Sequence, residues 1–228
     1  MHTVIVGMCR HVWEWYFVTI ERYGAAVFNN LGVQLDSQLT MADHIAAVCH
    51  SGFFQLWQLR CIRQSLTPAA TKTLVHRLDY CNQLFVGVIG WLLDKLQSLQ
   101  NAAAHLVMEA RKFDHITPVI RQLHWLPVRQ RLRFKMTFLV FKCLCGLAPV
   151  YLVNYCKTTS ANTGCFHLWS ANLCQLSVPR TSTSYGDRSF TICGPSPSMW
   201  NSLPAVLRST NVSVETFRTQ LKTFLFRH

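Results

Sequence analysis

The sequence predicts a mainly α fold: a helical bundle, then a loop-rich segment with a few short strands, and a C-terminal helix. Apolar residues recur at helical spacing through the first two thirds of the chain, most regularly between Gly90 and Met108. After Tyr155 the composition changes, and Ser, Thr, Asn and Gly dominate to about Arg188. Half of the 228 residues are hydrophobic, which is enough for a packed core and argues against global disorder.

These patterns divide the chain into three regions. Residues 1–30 form a leader that is rich in Trp, Tyr and Val and has no clear period. Residues 31–150 hold most of the predicted helices, and residues 151–228 form the loop-rich C-terminal region that ends in a helix. Several helices joined by short loops are typical of a bundle, so we expect the main core in the second region.

The second region begins with a turn that leads into a short strand over Asn29–Asp36. Thr40 is the predicted N-cap of the next helix, and Asp43 completes a capping-box-like pair. This helix is expected to reach about Gln64, although Gly52 inside it costs about 1 kcal/mol relative to Ala and marks a potential break. Its expected apolar face comprises Ile45, Val48, Phe53, Leu56 and Leu59.

Two further helices follow along the chain. Thr67-Pro68 is typical of an N-cap followed by the first helical residue, and that helix is expected to end near His76. Between Gly90 and Met108 the apolar residues alternate at spacings of four and three, which predicts one continuous stripe. The stripe consists of Leu92, Leu96, Leu99, Ala103 and Leu106. The other faces carry Asp94, Lys95, Gln97 and Gln100.

Proline and glycine delimit the next two helices. Thr117-Pro118 starts a short helix, and Pro127 starts a longer one that is expected to reach about Cys145. Gly146 suits the position just after the end of that helix, and Pro149 prevents its continuation. The face expected to point inward carries Val128, Leu132, Met136, Leu139 and Cys143.

The loop-rich region contains three short predicted elements. Leu173–Val178 and Ser189–Cys193 are expected strands, because both are short apolar runs between turn-forming residues. Ser213 is the predicted N-cap of the final helix. The stripe of that helix consists of Val214, Phe217, Leu221 and Phe224.

The charge of the chain is strongly positive. It has 22 Lys and Arg residues against 10 Asp and Glu, a net charge of +12, and a pI near 9.5. No acidic residue occurs from His115 to Gly186. A basic surface attracts polyanions, so nucleic acid or an anionic membrane face is the expected class of partner, and a basic protein without a specific partner is the alternative.

The helix that begins at Pro127 lies in this basic stretch. Its flanks carry the candidate nucleic-acid-binding residues Arg129, Arg131, Arg133, Lys135 and Lys142. Phosphate contact and an ordinary core helix with solvated cations explain these residue types equally well. Trp125 and Phe134 have the same two interpretations, stacking on bases or packing in the core, and their helical spacing favours the core.

Ten cysteines raise the questions of disulfides and zinc. The N-terminal sequence lacks a cationic segment followed by a clean apolar stretch, so we expect an intracellular protein, nuclear or cytoplasmic, without disulfides. No Cys-x-x-Cys pair occurs, and the nearest approaches are Cys143-Leu-Cys145 and Cys165-Phe-His167. The cysteines are therefore expected to be buried small hydrophobic residues, with no metal.

No membrane-spanning helix and no enzyme site are predicted. The longest apolar run, Met136 to Tyr155, is interrupted by Lys142 and by Gly146-Leu-Ala-Pro149, so at most it lies on a membrane surface. His76 and Asp79 near Cys81 are better explained as turn and core residues than as a catalytic triad. The standard nucleotide, metal and hydrolase motifs do not occur, so we expect no cofactor, no small-molecule substrate and no catalysis.

Five sequence blocks, in this order, resemble one known family. They include NNLGVQLDSQLTMADHIAAVCH, RLDYCNQLFVGV, KLQSLQNAAAHLV, HITPVIRQLHWLPVRQRLRFK and SYGDRSFTICGPSPSMWNSLPAVLRS. Together they resemble the C-terminal portion of the polyprotein of non-LTR retrotransposons, the long interspersed elements of the chicken-repeat and jockey-like kind. The resemblance extends from about Asn30 to the C-terminus.

This resemblance implies a position after the palm of a reverse transcriptase. Leu31-Gly32-Val33 is similar to the hairpin that follows the palm, and the next helices would be thumb-like and follow the template–primer duplex. It implies that Arg129, Arg131 and Arg133, with Lys135 and Lys142, face phosphates or neighbouring protein. The polymerase carboxylates of the family belong upstream of Leu31, where Met1–Asn30 contains no Asp.

We therefore expect a fragment of a retrotransposon reverse transcriptase without polymerase or nuclease activity, because two-metal chemistry requires those carboxylates. Its expected function is at most sequence-independent binding of RNA or an RNA–DNA duplex. The first alternative is a module that binds a protein or membrane surface. The second is a decayed gene product without function, which is suggested by the short run before Arg77-Leu-Asp-Tyr.

Overall fold

The fold is known from a computed structural model. It describes residues 27–30, 32–36, 39–62, 82–111, 113–159, 175–182, 186–193, 199–209 and 211–227. Over these residues the chain is mainly α and ends in a helix, as predicted. The leader and the helix predicted from Thr67-Pro68 lie outside them.

Two compact units make up the chain. Unit 1 comprises Met1–Arg129 and unit 2 comprises Gln130–His228, so the boundary falls inside the helix that begins at Val128. The division into regions at residues 30 and 150 stays a prediction.

Unit 1 begins with an antiparallel β-hairpin. Strand β1, Val27–Asn30, pairs with β2, Val33–Asp36, so that Val27 lies opposite Asp36. Gly32 lies in the connection with a positive φ of 81°, which glycine adopts without steric cost. In β2, Val33 and Leu35 are buried and alternate with half-buried polar residues. The predicted strand is confirmed as β2 and the turn at Gly32, whereas Asn29 and Asn30, which were expected in the turn, belong to β1.

Helix α1, Ala42–Cys61, begins one residue later than predicted. The N-cap is Met41, in the left-handed conformation with φ 63°. The carboxylate of Asp36 accepts hydrogen bonds from the Thr40 and Met41 amides, at 3.0 and 3.1 Å, and from the Thr40 hydroxyl at 2.6 Å. The predicted N-cap Thr40 is wrong by one residue, although its hydroxyl, which donates to Asp36, also accepts a hydrogen bond from the Ala42 amide at 3.3 Å. Asp43 is exposed in the first turn.

These hydrogen bonds determine the ionisation of Asp36. Partial burial alone would raise the pKa of its carboxyl group. The hydrogen bonds from Thr40 and Met41 outweigh burial and hold the pKa below its usual 3.8. The charged carboxylate therefore joins the end of the hairpin to the beginning of α1.

The buried face of α1 differs from the predicted stripe. Its buried residues are His44, Ile45, Cys49 and Leu56. Phe53 was expected to lie inside, but 44% of it is exposed, and the helix ends at Cys61 and not near Gln64. Gly52 does not break the helix. A Cβ atom at Gly52 would lie 2.5 Å from Cδ2 of Leu99, so the glycine allows close packing at this point.

Helix α2 has the predicted bounds, Gly90–Met108, and its predicted stripe is confirmed apart from Leu106, which is half-buried. Gln100 was placed wrongly on an outer face. It is fully buried, and its Nε2 donates a hydrogen bond to the Leu126 carbonyl at 2.9 Å. Oε1 of Gln97 accepts one from the Val128 amide at 2.8 Å. Buried backbone groups need partners, and these two glutamines supply them where the chain turns towards the next long helix.

Helix α3, Ile116–Gln122, begins slightly before its predicted start. Its N-cap is His115, whose Nδ1 accepts a hydrogen bond from the Thr117 amide at 3.4 Å, so the start at Thr117-Pro118 was late. The helix completes the apolar core of unit 1 with α1 and α2. The buried residues of the cluster that α3 forms with α1 and α2 are Leu56, Leu99, Ala103, Ala104, Val119, Ile120 and Trp125.

Helix α4, Val128–Leu144, confirms the predicted long helix and its C-terminal signal. Gly146 has φ 70°, and its amide donates to the Cys143 carbonyl at 3.2 Å. The Leu147 amide donates to the Lys142 carbonyl at 2.9 Å, which completes the two-bond Schellman pattern. Pro149 then precedes the short helix α5, Val150–Val153.

Unit 2 continues with short elements, and one of them corrects a prediction. Ser189–Cys193 was expected to be a strand, but Phe190–Cys193 forms a helix, α6. The Ser189 carbonyl accepts hydrogen bonds from the Ile192 and Cys193 amides, which closes a helical turn. Of the predicted strand Leu173–Val178, the described residues contain one isolated bridge, between Leu176 and Thr158. At Phe190–Cys193, local hydrogen bonds override the strand propensity of the apolar residues.

The final helix, α7, spans Val214–Arg227 and is capped as predicted. Ser213 Oγ accepts a hydrogen bond from the Thr216 amide at 3.2 Å. Its buried residues are Phe217, Leu221 and Leu225, whereas the predicted Phe224 is half-buried. The Phe217 ring stacks on that of Phe141, with centroids 3.9 Å apart, and this contact packs α7 against α4 in the core of unit 2.

Candidate nucleic-acid interface

Most of the positive charge of the chain belongs to unit 2. From Gln130 to His228 the sequence has eleven Lys and Arg residues against two acidic residues, Asp187 and Glu215. The net charge of unit 2 is therefore +9, out of +12 for the whole chain. A polyanion is therefore attracted to unit 2 far more strongly than to unit 1.

Three of these cations form a group that we call the α4–α7 basic cluster, namely Arg131, Arg218 and Lys222. Arg131 is half-buried on α4, and Arg218 and the half-buried Lys222 lie one turn apart on α7. Partial burial, with the positive charges of Arg218 and Arg131, holds the pKa of the Lys222 amine below its usual 10.5. The lowered pKa means that the surroundings disfavour the charged form of Lys222. An anion bound nearby would stabilise that form.

One acidic residue lies beside the cluster. Oε2 of Glu215 is 3.6 Å from Nη1 of Arg218, one turn away on α7, and both side chains are largely exposed. An exposed pair of this kind is screened by water and salt and contributes little energy. Glu215 therefore weakens the field at Arg218 without neutralising the group.

The predicted cations of α4 separate into different environments. Arg129 lies in unit 1, where its Nη2 is 3.0 Å from Oδ1 of Asp94 and 3.2 Å from the Gly90 carbonyl. Arg133 is exposed and Lys135 is half-buried. The Lys142 amine lies 4.9 Å from the centre of the Phe138 ring. Of the five predicted residues, the structure brings Arg131 together with cations from another helix.

Sequence reasoning missed Arg218 and Lys222. They lie on the polar face of α7, and nothing local in the sequence indicates which helix that face adjoins. The helical periods of α4 and α7 predict two apolar faces that need partners, and this was the available signal that the two helices pack together. The pairing itself depends on contacts such as Phe217 with Phe141.

The two aromatic candidates for base stacking are not equally placed. Trp125 is buried in the core of unit 1, so the core interpretation is the correct one for this residue. Phe134 is half-buried on α4 and stacks on Phe138, with ring centroids 6.0 Å apart. Trp125 is therefore not exposed for stacking on bases.

The described cysteines are reduced thiols. Cys49, Cys143, Cys156 and Cys193 are buried, as expected for small hydrophobic residues, whereas Cys145 is half-buried and Cys61 is exposed. Among the residues that the structure describes, no three or more His, Cys, Asp or Glu side chains form a group that could hold a metal ion. His76, Asp79 and Cys81 lie outside those residues.

Helix α1 presents an exposed aromatic surface in unit 1. Phe54 is 53% exposed and Trp57 is 64% exposed, and their rings stack with centroids 6.2 Å apart. Phe53, within the helix, and Ile62, just after it, are further exposed apolar side chains. Large exposed apolar side chains in a group are typical of surfaces that bind other molecules.

Comparison with known proteins gives no family. No family model, no curated protein and no solved structure matches this chain. The resemblance to non-LTR retrotransposon polyproteins is carried by the sequence blocks alone and stays a prediction. Among the described helices, none combines the length and the apolar character that crossing a bilayer requires.

Proposed function

We propose that the chain is the post-palm, thumb-like part of a non-LTR retrotransposon reverse transcriptase, and that unit 2 binds RNA or an RNA–DNA duplex. Binding is to the phosphate backbone and independent of base sequence. The observation that carries this proposal is the α4–α7 basic cluster: Phe217 stacks on Phe141 and packs α7 against α4, and the positive charges of Arg131 and Arg218 act on Lys222.

The chemistry of the cluster suits a backbone of phosphates. Guanidinium groups donate two parallel hydrogen bonds to one phosphate, whereas the Lys222 amine acts as a compact point charge. Contacts of this kind release condensed counterions and carry no information about base sequence. The net charge of unit 2 adds long-range attraction, which falls as salt screens it.

The proposal includes no polymerase chemistry in this chain. The sequence blocks that carry the resemblance correspond to the part of the family's protein that follows the palm. The carboxylates that hold two metal ions belong to the palm itself, and phosphoryl transfer depends on them. The proposed role is to hold a duplex in place, and chemistry on it belongs to another part of such a polymerase.

The test is the salt dependence of binding to a fluorescently labelled RNA–DNA duplex, followed by anisotropy. Arg131→Ala/Arg218→Ala/Lys222→Ala is compared with Arg60→Ala/Arg111→Ala/Arg121→Ala, which removes three exposed cations from unit 1. The logarithm of the wild-type affinity should fall linearly with the logarithm of salt. The cluster variant should lower that slope by about three, one for each lost phosphate contact, and the control by much less.

Other outcomes contradict the proposal. If the two triple variants lose affinity equally, binding follows net charge and not the cluster. If the wild-type chain binds no duplex at low salt, or binds with no salt dependence, unit 2 is not a backbone-binding unit. Duplexes of unrelated sequence should bind with equal affinity, and a strong preference among them would refute sequence independence.

The exposed aromatic surface of α1 favours a second candidate function, binding to a protein surface. Phe54 and Trp57 offer the rigid aromatic area that anchors many protein interfaces. Cross-linking from the exposed neighbouring position 58 should then capture a protein partner, and Trp57→Ser should abolish capture while duplex affinity is unchanged. Flotation of the wild-type chain with anionic liposomes would indicate a membrane surface in its place.

A further inference from the structure

Helix α1 of unit 1 carries two exposed aromatic rings that contact each other. Phe54 is 53% exposed and Trp57 is 64% exposed, and their rings stack with centroids 6.2 Å apart and planes 28° apart. Arg60, three residues after Trp57, is also exposed. At about 100° per residue these three side chains fall within about 120° of the helix circumference, so two rings and a cation share one exposed face. We call them the α1 stacking surface.

The two rings of this surface have different surroundings. Phe54 stacks against the Trp57 ring and supports it from one side. Because Trp57 is 64% exposed despite this contact, the ring face turned away from Phe54 is open to solvent. An indole held in this way offers a flat aromatic area of the size of a nucleobase.

The charge around the α1 stacking surface is positive. Side chains three residues apart on a helix are neighbours, with Cβ atoms about 5–6 Å apart, so the Arg60 side chain begins close to that of Trp57. Asp43 lies in the first turn of α1, about 21 Å from Trp57 along the helix axis. In the sequence no acidic residue occurs between Asp43 and Asp79, whereas that stretch contains Arg60, Arg63, Lys72 and Arg77. This charge favours a polyanion over a neutral apolar partner.

Among polyanions, an aromatic face beside a cation suits a single strand of nucleic acid. Within a duplex, both faces of each base are covered by the neighbouring bases, whereas an unpaired base can present one face to a protein. Stacking of such a base on an aromatic side chain is tolerant of sequence, because every base has a π face. A cation next to the stacked base can bind the phosphate that belongs to the same strand.

We propose that the α1 stacking surface binds unpaired bases of single-stranded RNA. Trp57 stacks on a base, Phe54 supports the indole from the other side, and Arg60 binds an adjacent phosphate. This inference rests on the proposed function and adds a site for unpaired RNA in unit 1 to the duplex site of unit 2. The second candidate function uses the same aromatic residues, and the charge around them favours RNA as the occupant.

The first experiment compares two labelled single strands on the full wild-type chain by fluorescence anisotropy. One is an oligouridylate of about ten nucleotides, and the other is an abasic oligonucleotide of the same length and charge. Phosphate contacts are common to both, so the ratio of the two affinities isolates the contribution of the bases. The oligouridylate should bind at least about fivefold more tightly, as expected for one stacked base. Added salt should weaken both complexes and leave the ratio nearly unchanged.

A second experiment assigns that ratio to Trp57. Trp57→Ala should reduce the ratio to about one, whereas Trp57→Phe should keep most of it because an aromatic face is retained. The matched control is Trp91→Ala in α2, which removes another exposed tryptophan of unit 1, 51% exposed, and should leave the ratio unchanged. The Lys95 amine lies 4.6 Å from the centre of the Trp91 ring. Arg60→Ala should weaken both single strands equally.

The same proteins separate this site from the duplex site of unit 2. Trp57→Ala should leave duplex affinity unchanged. Arg131→Ala/Arg218→Ala/Lys222→Ala should leave the ratio of the two single strands unchanged. If duplex binding is absent but the ratio is preserved, the duplex function of unit 2 is refuted and the α1 stacking surface is supported.

A ratio of one in the folded wild-type chain overturns the proposal, and this result needs no variant. It is also overturned if Trp57→Ala and Trp91→Ala lower the ratio equally, because the bases would then not be bound at α1. A ratio of one together with capture of a protein by cross-linking from position 58 would assign the surface to a protein partner. Circular dichroism of each variant shows whether it is folded before binding is measured.

Discussion

Nη2 of Arg129 lies 3.0 Å from Oδ1 of Asp94, and this pair separates the first predicted cation of α4 from the others. Arg129 also donates to the Gly90 carbonyl, so its guanidinium has partners within unit 1. Arg131, two residues later, belongs to the basic cluster of unit 2. Neighbouring cations on one helix thus have different environments, and their effects on binding should differ.

We predict that Arg131→Ala weakens binding to an RNA–DNA duplex about fivefold, because a charge-assisted contact contributes on the order of 1 kcal/mol. Arg129→Ala should change affinity less than Arg131→Ala, since Arg129 already has Asp94 as its partner. Anisotropy at one fixed, low salt concentration measures both. A larger loss for Arg129→Ala than for Arg131→Ala would contradict the assignment of the interface to unit 2.

Gly52 gives a prediction about the packing of α1 against α2. Alanine is favoured over glycine in a helix, yet Gly52→Ala should destabilise unit 1 by about 1–2 kcal/mol. The added Cβ would lie 2.5 Å from Cδ2 of Leu99, which is buried and must move into its packed neighbours. Urea unfolding, with hydrogen exchange of the α1 amides, measures this loss.

The matched control is a double-mutant cycle with Leu99→Ala. In that background the methyl groups that Gly52→Ala would contact are absent, so alanine should be neutral or stabilising by its helix propensity. Additive effects of the two substitutions would show that the contact is not the cause.

His44 predicts a pH dependence of unit 1. It is 4% exposed, and its Nδ1 accepts a hydrogen bond from the Gln34 amide at 3.3 Å, which requires the unprotonated nitrogen. Burial lowers the pKa of His44 below 6.5. The unfolded chain then binds a proton more readily than the folded one. The free energy of unfolding should therefore fall as the pH decreases from 6.5 through the lower pKa of the folded state.

The control variant for this effect is His44→Asn, which keeps an acceptor for Gln34 but does not titrate. Urea unfolding between about pH 7.5 and about pH 5 should show a weaker pH dependence in the variant than in the wild type. Asp36 affects stability only at lower pH. Because its pKa in the folded state is below 3.8, its charged carboxylate stabilises the folded state above pH 3.8, and this stability is lost as the pH falls below that value. Identical pH profiles of the two proteins would refute the role of His44.

Local signals in the sequence were sufficient for several elements. Gly90 to Met108 has an uninterrupted apolar period, and α2 has those bounds. Gly146 followed by Pro149 predicts how α4 ends, because a left-handed glycine and a proline act within one turn. Such features depend on a few neighbouring residues, and tertiary contacts did not change them.

Other features depend on residues far apart in sequence and were missed for that reason. Gln100 appears polar in the sequence, but the Leu126 carbonyl, 26 positions away, gives its amide a buried partner. The cluster of Arg131 with Lys222 likewise arises from packing within unit 2, where Phe217 stacks on Phe141. The sequence indicated the type of each residue but not its neighbour.

Arg208 is a charged residue that is buried in unit 2. It is 6% exposed, and no acceptor among the described residues binds its Nε or Nη1. A buried guanidinium whose nitrogens lack acceptors opposes folding, because its desolvation is not compensated by hydrogen bonds. We therefore predict that Arg208→Met, which keeps the length of the side chain and removes the charge, stabilises unit 2 by about 1–3 kcal/mol.

Hydrogen exchange of the buried α7 residues Phe217 and Leu221 reports the stability of unit 2 directly. Arg208→Met should slow their exchange. Arg218→Met, the control at an exposed position of α7, should leave it nearly unchanged. If Arg208→Met accelerates exchange, the guanidinium has an acceptor in solution that stabilises unit 2. Repeating the measurement with added inorganic phosphate then tests an anion as that acceptor, because phosphate should slow exchange more in the wild type than in Arg208→Met.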